Sequence, residues 1–156
     1  MADVASPFQV TTVRPDESGW PAYVSLFADY RAHYDSAPPE PKACDEWLRR
    51  HLPSGALTCY LAHNGESCAA MALVLVSPAS QRLAVYWQLR DLFVAPQHRR
   101  TGVGRAVVTA VVDGARAAGA LRVALQTESG NAPAQALYHQ MGFEDVTGFV
   151  TMTLTI

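Results

Sequence analysis

Apolar positions recur along this chain with two alternating periods, and the changes of period mark out its elements. Phe8 to Arg14 alternates as a strand would, and the Pro15, Asp16, Ser18 cluster behind it reads as a turn into a helix start. Trp20, Tyr23, Val24, Phe27, Tyr30 and Tyr34 then recur at steps of three and four, which predicts an amphipathic helix with an aromatic stripe. The stretch 35–42, with Pro38, Pro39 and Pro41, is expected to be a loop, followed by a short helix over Asp45 to Leu52. The period then shortens. Thr58 to His63 and Cys68 to Ser77 read as strands joined across Asn64-Gly65, and Arg82 to Val94 as a long strand after a turn at Pro78.

Pro96 ends that strand, and beyond a basic loop Val103, Val107, Ala110, Val111, Gly114 and Ala118 return to helical spacing, with Gly119 placed to end the helix. A helix so rich in valine has poor intrinsic propensity and is expected to depend on burial against a sheet. Leu121, Val123 and Leu125 predict a strand. Asn131 and Pro133 predict the start of a helix that Gly142 ends, and Phe149 to Ile156 reads as a last strand. The order β-α-α-β-β-β-α-β-α-β, without internal repeats, is that of a mixed α/β sheet domain.

Composition narrows the picture. The 156 residues, 49% of them apolar, suit one domain spanning 1–156. Twelve basic and fourteen acidic residues leave a formal charge of −2, so nothing global draws the chain to nucleic acid or to an anionic membrane. Cys44, Cys59 and Cys68 are odd in number and lack CxxC spacing, and His33, His51, His63, His98 and His139 show no metal-ligand spacing, so neither a disulfide framework nor a metal is expected. The first ten residues have no signal-peptide character, and the longest charge-free run, Cys68 to Gln81, is too short to span a bilayer. The expected location is the cytoplasm.

The most informative stretch is Leu92 to Val108, where a strand runs through a short loop into a helix opened by Gly102 and Gly104. The first amides of a helix lack intrahelical partners and carry partial positive charge, and glycine lets a pyrophosphate approach them closely. Arg99, Arg100 and Arg105 add fixed charge, although a tight strand-to-helix connection would leave the same trace. A P-loop is excluded because the chain's single lysine is Lys42, and a dinucleotide fingerprint lacks its third glycine.

Arg99-Arg100-Thr101-Gly102-Val103-Gly104 resembles the pyrophosphate signature of the GCN5-related N-acetyltransferase (GNAT) family. Asn131, the Ala134-Gln135-Ala136-Leu137-Tyr138 step and Gly142-Phe143 resemble the segment that follows it in that family. Leu89 to Val94 and Thr127 to Tyr138 look most similar to the branch containing histone and polyamine acetyltransferases. The resemblance implies a GNAT-like fold and acetyl-CoA as cosubstrate, its pyrophosphate on the main chain from Arg99 through Val103 to Arg105 and its pantetheine arm along the backbone of Phe93 and Val94. It implies a side-chain contact from Asn131, which a plain helix cap would equally explain. It also makes Tyr138 the general acid for the departing thiolate, where periodicity alone would make it a core tyrosine.

An alkylammonium, with a pKa of about 10.4, must lose its proton before it attacks a thioester. Asp91 and Glu128 are the carboxylates placed to take it, directly or through water, and a backbone N–H of the cofactor strand would meet the oxyanion, as the family implies. Polyamine acetyltransferases often carry two adjacent acids where this chain has Arg90-Asp91. The expected acceptor is a primary amine on a small molecule or peptide, walled by Tyr30, Tyr34 and the proline loop. A homodimer is compatible with the sequence. A non-catalytic module that binds CoA or acyl-CoA, and a protein-interaction domain, remain the competing readings.

Overall fold

The computed structural model describes residues 6–35 and 40–156, and Met1–Gln126 and Thr127–Ile156 form two compact units. The first unit is built on a five-stranded sheet: β1 (Gln9–Thr12), β2 (Leu57–Asn64), β3 (Ser67–Ala79), β4 (Ala84–Val94) and β5 (Val123–Leu125), in that spatial order. β1 to β4 are antiparallel, and β5 joins β4 in parallel after a helical crossover. The β2–β3 hairpin turns one residue later than expected, because Asn64 still pairs with Ser67 and Gly65 takes a left-handed φ of 59°.

Helix α1 (Trp20–Tyr34) lies where the aromatic stripe put it, and buries Trp20, Tyr23, Val24, Leu26 and Phe27. Helix α2 (Pro41–His51) starts earlier than its sequence suggested. Proline lacks only an N–H that has no acceptor in the first turn of a helix, so Pro41 opens the helix instead of belonging to the loop. Pro38 and Pro39, the rest of the expected proline loop, lie outside the described residues. Together α1 and α2 cover one apolar cluster with Cys44, Leu48, Cys59, Leu61, Met71, Leu73 and Phe93.

Helix α3 (Val103–Ala117) buries Val103, Val107, Val108, Val111 and Ala115, as its weak propensity required. Gly119 ends it with φ 69°, and the amide of Ala120 bonds back to the Ala115 carbonyl. Gly114 is the point of closest approach, because a Cβ built there would strike the Tyr60 hydroxyl and come within 3.2 Å of the Trp87 ring. Gly114→Val is therefore expected to lower stability by roughly 2 kcal/mol despite removing a helical glycine. Urea unfolding with an unchanged midpoint would show that the ring pair yields freely.

The second unit holds α4 (Ala132–Gln140). Asn131 caps it by accepting the Ala134 N–H at 3.3 Å, and Gly142 closes it at φ 89°. The final strand expected over Phe149–Ile156 is not formed, and the segment is exposed without regular structure. Alternation expresses a capacity to pair, but a strand forms only where a neighbouring backbone completes its ladder.

Candidate functional site

β4 carries the site because its two sides are treated unequally. Towards β3 it is paired along its whole length, from Ala84 to Val94. Towards β5 it is paired only through Trp87, Gln88 and Leu89. Opposite β3, Leu73 faces Asp91 while Val74 faces Leu89, so Arg90 is the extra residue of a bulge. From that bulge to Val94 no described strand covers the β5 side of β4. A bare stretch of backbone thus leads towards the loop, and Phe93, whose side chain is buried in the core, presents main chain there.

The loop then turns sharply. Ala95 still bonds to Ala69, a single helical turn spans Pro96–His98, and Arg100 adopts φ 64°. The Thr101 hydroxyl donates to the His98 carbonyl at 2.6 Å, and the Arg99 guanidinium donates to the Val94 carbonyl at 3.3 Å. That last bond occupies one of the main-chain groups assigned to the pantetheine arm. Gly102 sits at φ 87°, where a side chain is strained, and a Cβ there would meet nothing within 4 Å. The first internal bond of α3 joins the Ala106 N–H to the Gly102 carbonyl, leaving the amides of Val103 and Gly104 without helical acceptors. Thr101, Gly102 and Arg105 line a cleft of about 760 Å³ that continues along α3 to Thr109. The loop thus combines helix-end amides, arginines and open space, as an anion cradle needs.

Asp91 lies half-buried beside the bulge. The Tyr30 hydroxyl donates to its Oδ1 at 2.6 Å. Burial raises the Asp91 carboxyl above its ordinary range, while the Tyr30 bond and the neighbouring Arg90 charge pull it back down. Tyr30 is held well above the usual tyrosine range, first by burial and then by its bond to the carboxylate. Its ring meets Phe27 at 6.2 Å, Tyr34 at 5.2 Å and Phe93 at 6.4 Å. Trp47 stacks on Phe27 from α2, extending an aromatic wall next to a partly desolvated carboxylate. The sequence pointed to Tyr30 and Tyr34 as a wall but missed the bond to Asp91. Two residues 61 positions apart leave no local signal of contact.

In the second unit, Asn131 is occupied as the α4 cap, and Tyr138 is buried with its ring edge-on to Phe143 at 5.8 Å. Glu128 is exposed, and its carbonyl accepts from the Gln135 side chain at 3.0 Å. Among the described residues, no three His, Cys, Asp or Glu side chains are grouped to hold a metal ion, and no helix is long and apolar enough to cross a membrane.

Comparison with known proteins agrees with this geometry. The profile of the Acetyltransferase (GNAT) family matches residues 20–143. The Bacillus subtilis (strain 168) protein named Uncharacterized N-acetyltransferase YhfO is 30% identical over 135 residues, covering 86% of this chain and 90% of its own. The thialysine N-epsilon-acetyltransferase of Caenorhabditis elegans is 26% identical over 140 residues, covering 90% of this chain and 85% of its own. The crystal structure of a probable acetyltransferase superposes with a TM-score of 0.84 at 25% identity, covering 95% of this chain and 97% of that one. A bare strand edge leading into a glycine-opened helix, within a family match that spans most of the sequence, has one consequence: the chain belongs to the GNAT family of acetyltransferases and is an acetyl-CoA-dependent N-acetyltransferase.

Proposed function

We propose that the chain acetylates a primary amine of a small molecule or peptide by direct attack on the thioester, with 1–156 working as one domain. The uncovered run of β4 from Arg90 to Val94, ending at the Gly102 helix, carries the reading. Pantetheine lies along Phe93 and Val94. The pyrophosphate takes the amides of the loop from Arg99 through Thr101, Gly102, Val103 and Gly104 to Arg105, and Asn131 adds a side-chain contact. The amine nitrogen forms its bond to the acetyl carbon as its proton passes to Asp91, and a β4 backbone N–H meets the oxyanion. The carbon–sulfur bond then breaks, and the thiolate takes a proton from the Tyr138 hydroxyl.

The motif order supports the role of Tyr138, and burial together with Tyr30 supports that of Asp91 over the exposed Glu128. The name of the C. elegans relative places its chemistry on an N-epsilon amine, the group proposed here. Arg90 beside Asp91 sets a positive charge where a polyamine would bring several, so peptides and compact amines are the better acceptors. The cytoplasm, where acetyl-CoA is available, is the proposed location.

Free thiol released from acetyl-CoA in a screen of amines, peptides and aminoglycosides tests the activity. Gly102→Val tests the cradle. A side chain at φ 87° must enter the space in front of the amides, so acetyl-CoA affinity is expected to fall about tenfold, roughly 1.4 kcal/mol. Unchanged calorimetric affinity in a folded variant would move the cofactor elsewhere, and binding without thiol release for any amine would reduce the chain to a carrier of CoA.

A further inference from the structure

Most aromatic side chains of the first unit pack into its core, but Tyr34 and Trp47 remain 60% and 43% exposed. Neither is an isolated surface ring. Tyr34 meets Tyr30 edge-on at 5.2 Å, and Trp47 stacks on Phe27, which stacks in turn on Tyr30 at 6.2 Å. Trp47, Phe27, Tyr30 and Tyr34 therefore form one continuous run, which the Tyr30 hydroxyl ties to the Asp91 carboxylate at 2.6 Å. Of the exposed pair Tyr34 is the nearer, because it touches the ring that bonds Asp91. A second edge-on contact, from His33 at 4.9 Å, steadies it. The acids beside the exposed rings already hold basic partners: Asp35 pairs with Arg31 at 3.9 Å, Asp45 with Arg49 at 2.8 Å and Glu46 with Lys42 at 3.9 Å. A second ammonium on the acceptor would thus meet Arg90 next to Asp91, and elsewhere carboxylates whose charge is matched.

Resting on the acetyl-transfer reading, we propose that the acceptor is a small monoamine carrying an aromatic ring, its amine at Asp91 and its ring against Tyr34, which makes Tyr34 a specificity-determining residue. Aromatic pairs prefer offset-stacked or edge-to-face geometry, and an exposed ring held from behind offers both. Laying the acceptor's ring there buries apolar area on two partners at once, and a tyrosine already steadied by Tyr30 and His33 loses little freedom on binding. The single charge has one destination. An ammonium at Asp91 is the group to be deprotonated, and an uncharged ring beyond it avoids the repulsion that Arg90 exerts on a second cation. A linear alkylamine satisfies Asp91 equally but brings no ring edge or face to meet Tyr34, so discrimination between the two falls on that residue.

Thiol release at saturating acetyl-CoA should give phenethylamine a kcat/KM about tenfold or more above that of hexylamine or hexanediamine. Tyr34→Ala should bring phenethylamine and hexylamine to within about twofold of each other, mainly through the acceptor's KM, while Tyr34→Phe keeps the preference because the ring remains. Following the ratio of two monoamines from one variant to the next cancels their own titrations, and a tyrosine that only supported the fold would lower both amines alike. Three results would overturn the proposal: no preference for the ring, a preference for the diamine, or a ring preference that survives Tyr34→Ala and disappears in Trp47→Ala. Each of them leaves acetyl transfer standing, because thiol is still released. If no amine releases thiol, the acetyl-transfer reading is what fails, and calorimetric titration with phenethylamine still decides the ring site: affinity that Tyr34→Ala weakens about tenfold supports it, and affinity indifferent to that change removes it.

Discussion

Tyr138→Phe is expected to slow acetyl transfer about 10²-fold in kcat, with little change in the Michaelis constant for acetyl-CoA. Expelling a thiolate leaves charge on sulfur, and a phenol can meet that charge with a hydrogen bond or a proton. From ordinary pKa values of about 10 for tyrosine and about 8.5 for a thiol, full transfer is uphill by roughly 2 kcal/mol, a small part of a chemical barrier. The hydroxyl is needed mainly as charge develops, so the loss should fall on kcat more than on binding. Structure and chemistry compete for this residue, because Tyr138 is buried on α4 against Phe143. A structural tyrosine would lose about 1 kcal/mol of stability on the same change and keep its rate. A normal kcat with a lowered melting temperature would remove Tyr138 from the mechanism.

Asp91→Asn should lower kcat/KM by about 10²-fold or more at neutral pH, since the ammonium then has no nearby carboxylate to receive its proton. The sharper test is Tyr30→Phe. Burial raises the Asp91 carboxyl, and the Tyr30 hydroxyl and Arg90 lower it. Removing the hydroxyl leaves burial less opposed, so the Asp91 pKa must rise. The base works only when ionised, so activity that depends on Asp91 is lost as pH falls through that pKa, and in Tyr30→Phe the loss begins at a higher pH. Comparing both enzymes with one acceptor cancels the acceptor's own titration. The groups acting on Asp91 besides burial are Tyr30 from α1 and Arg90 from β4, neither of them a carboxylate that could imitate the effect, while the buried Tyr23 of α1 is itself raised in part by Asp91. An acid limb that stays in place would show that Tyr30 only packs against the core, and an Asp91→Asn enzyme of full activity would return Glu128 or water to the role of base.

Much of this was legible in the residues alone. The stripe Trp20 to Tyr34, the hairpin at Asn64-Gly65, the valines of α3 and the Asn131 and Gly142 boundaries all express local preferences, and the structure follows them within a few residues. The turn from the β4 strand into α3 was legible too, because glycine accepts the left-handed φ that opens the helix at Gly102 without help from distant parts of the chain. Arg90 as a bulge was not, since the extra residue exists only relative to the register of β3. Nor was the Tyr30–Asp91 bond, which depends on how α1 crosses the sheet. The last segment shows the same division from the other side. Its alternation specifies a strand as clearly as any in the chain, yet residues 149–156 carry no regular structure. Periodicity fixes which face of an element is apolar; whether that face and its backbone find partners is decided by tertiary or quaternary contact, because hydrogen bonds and burial belong to pairs of segments and not to either one.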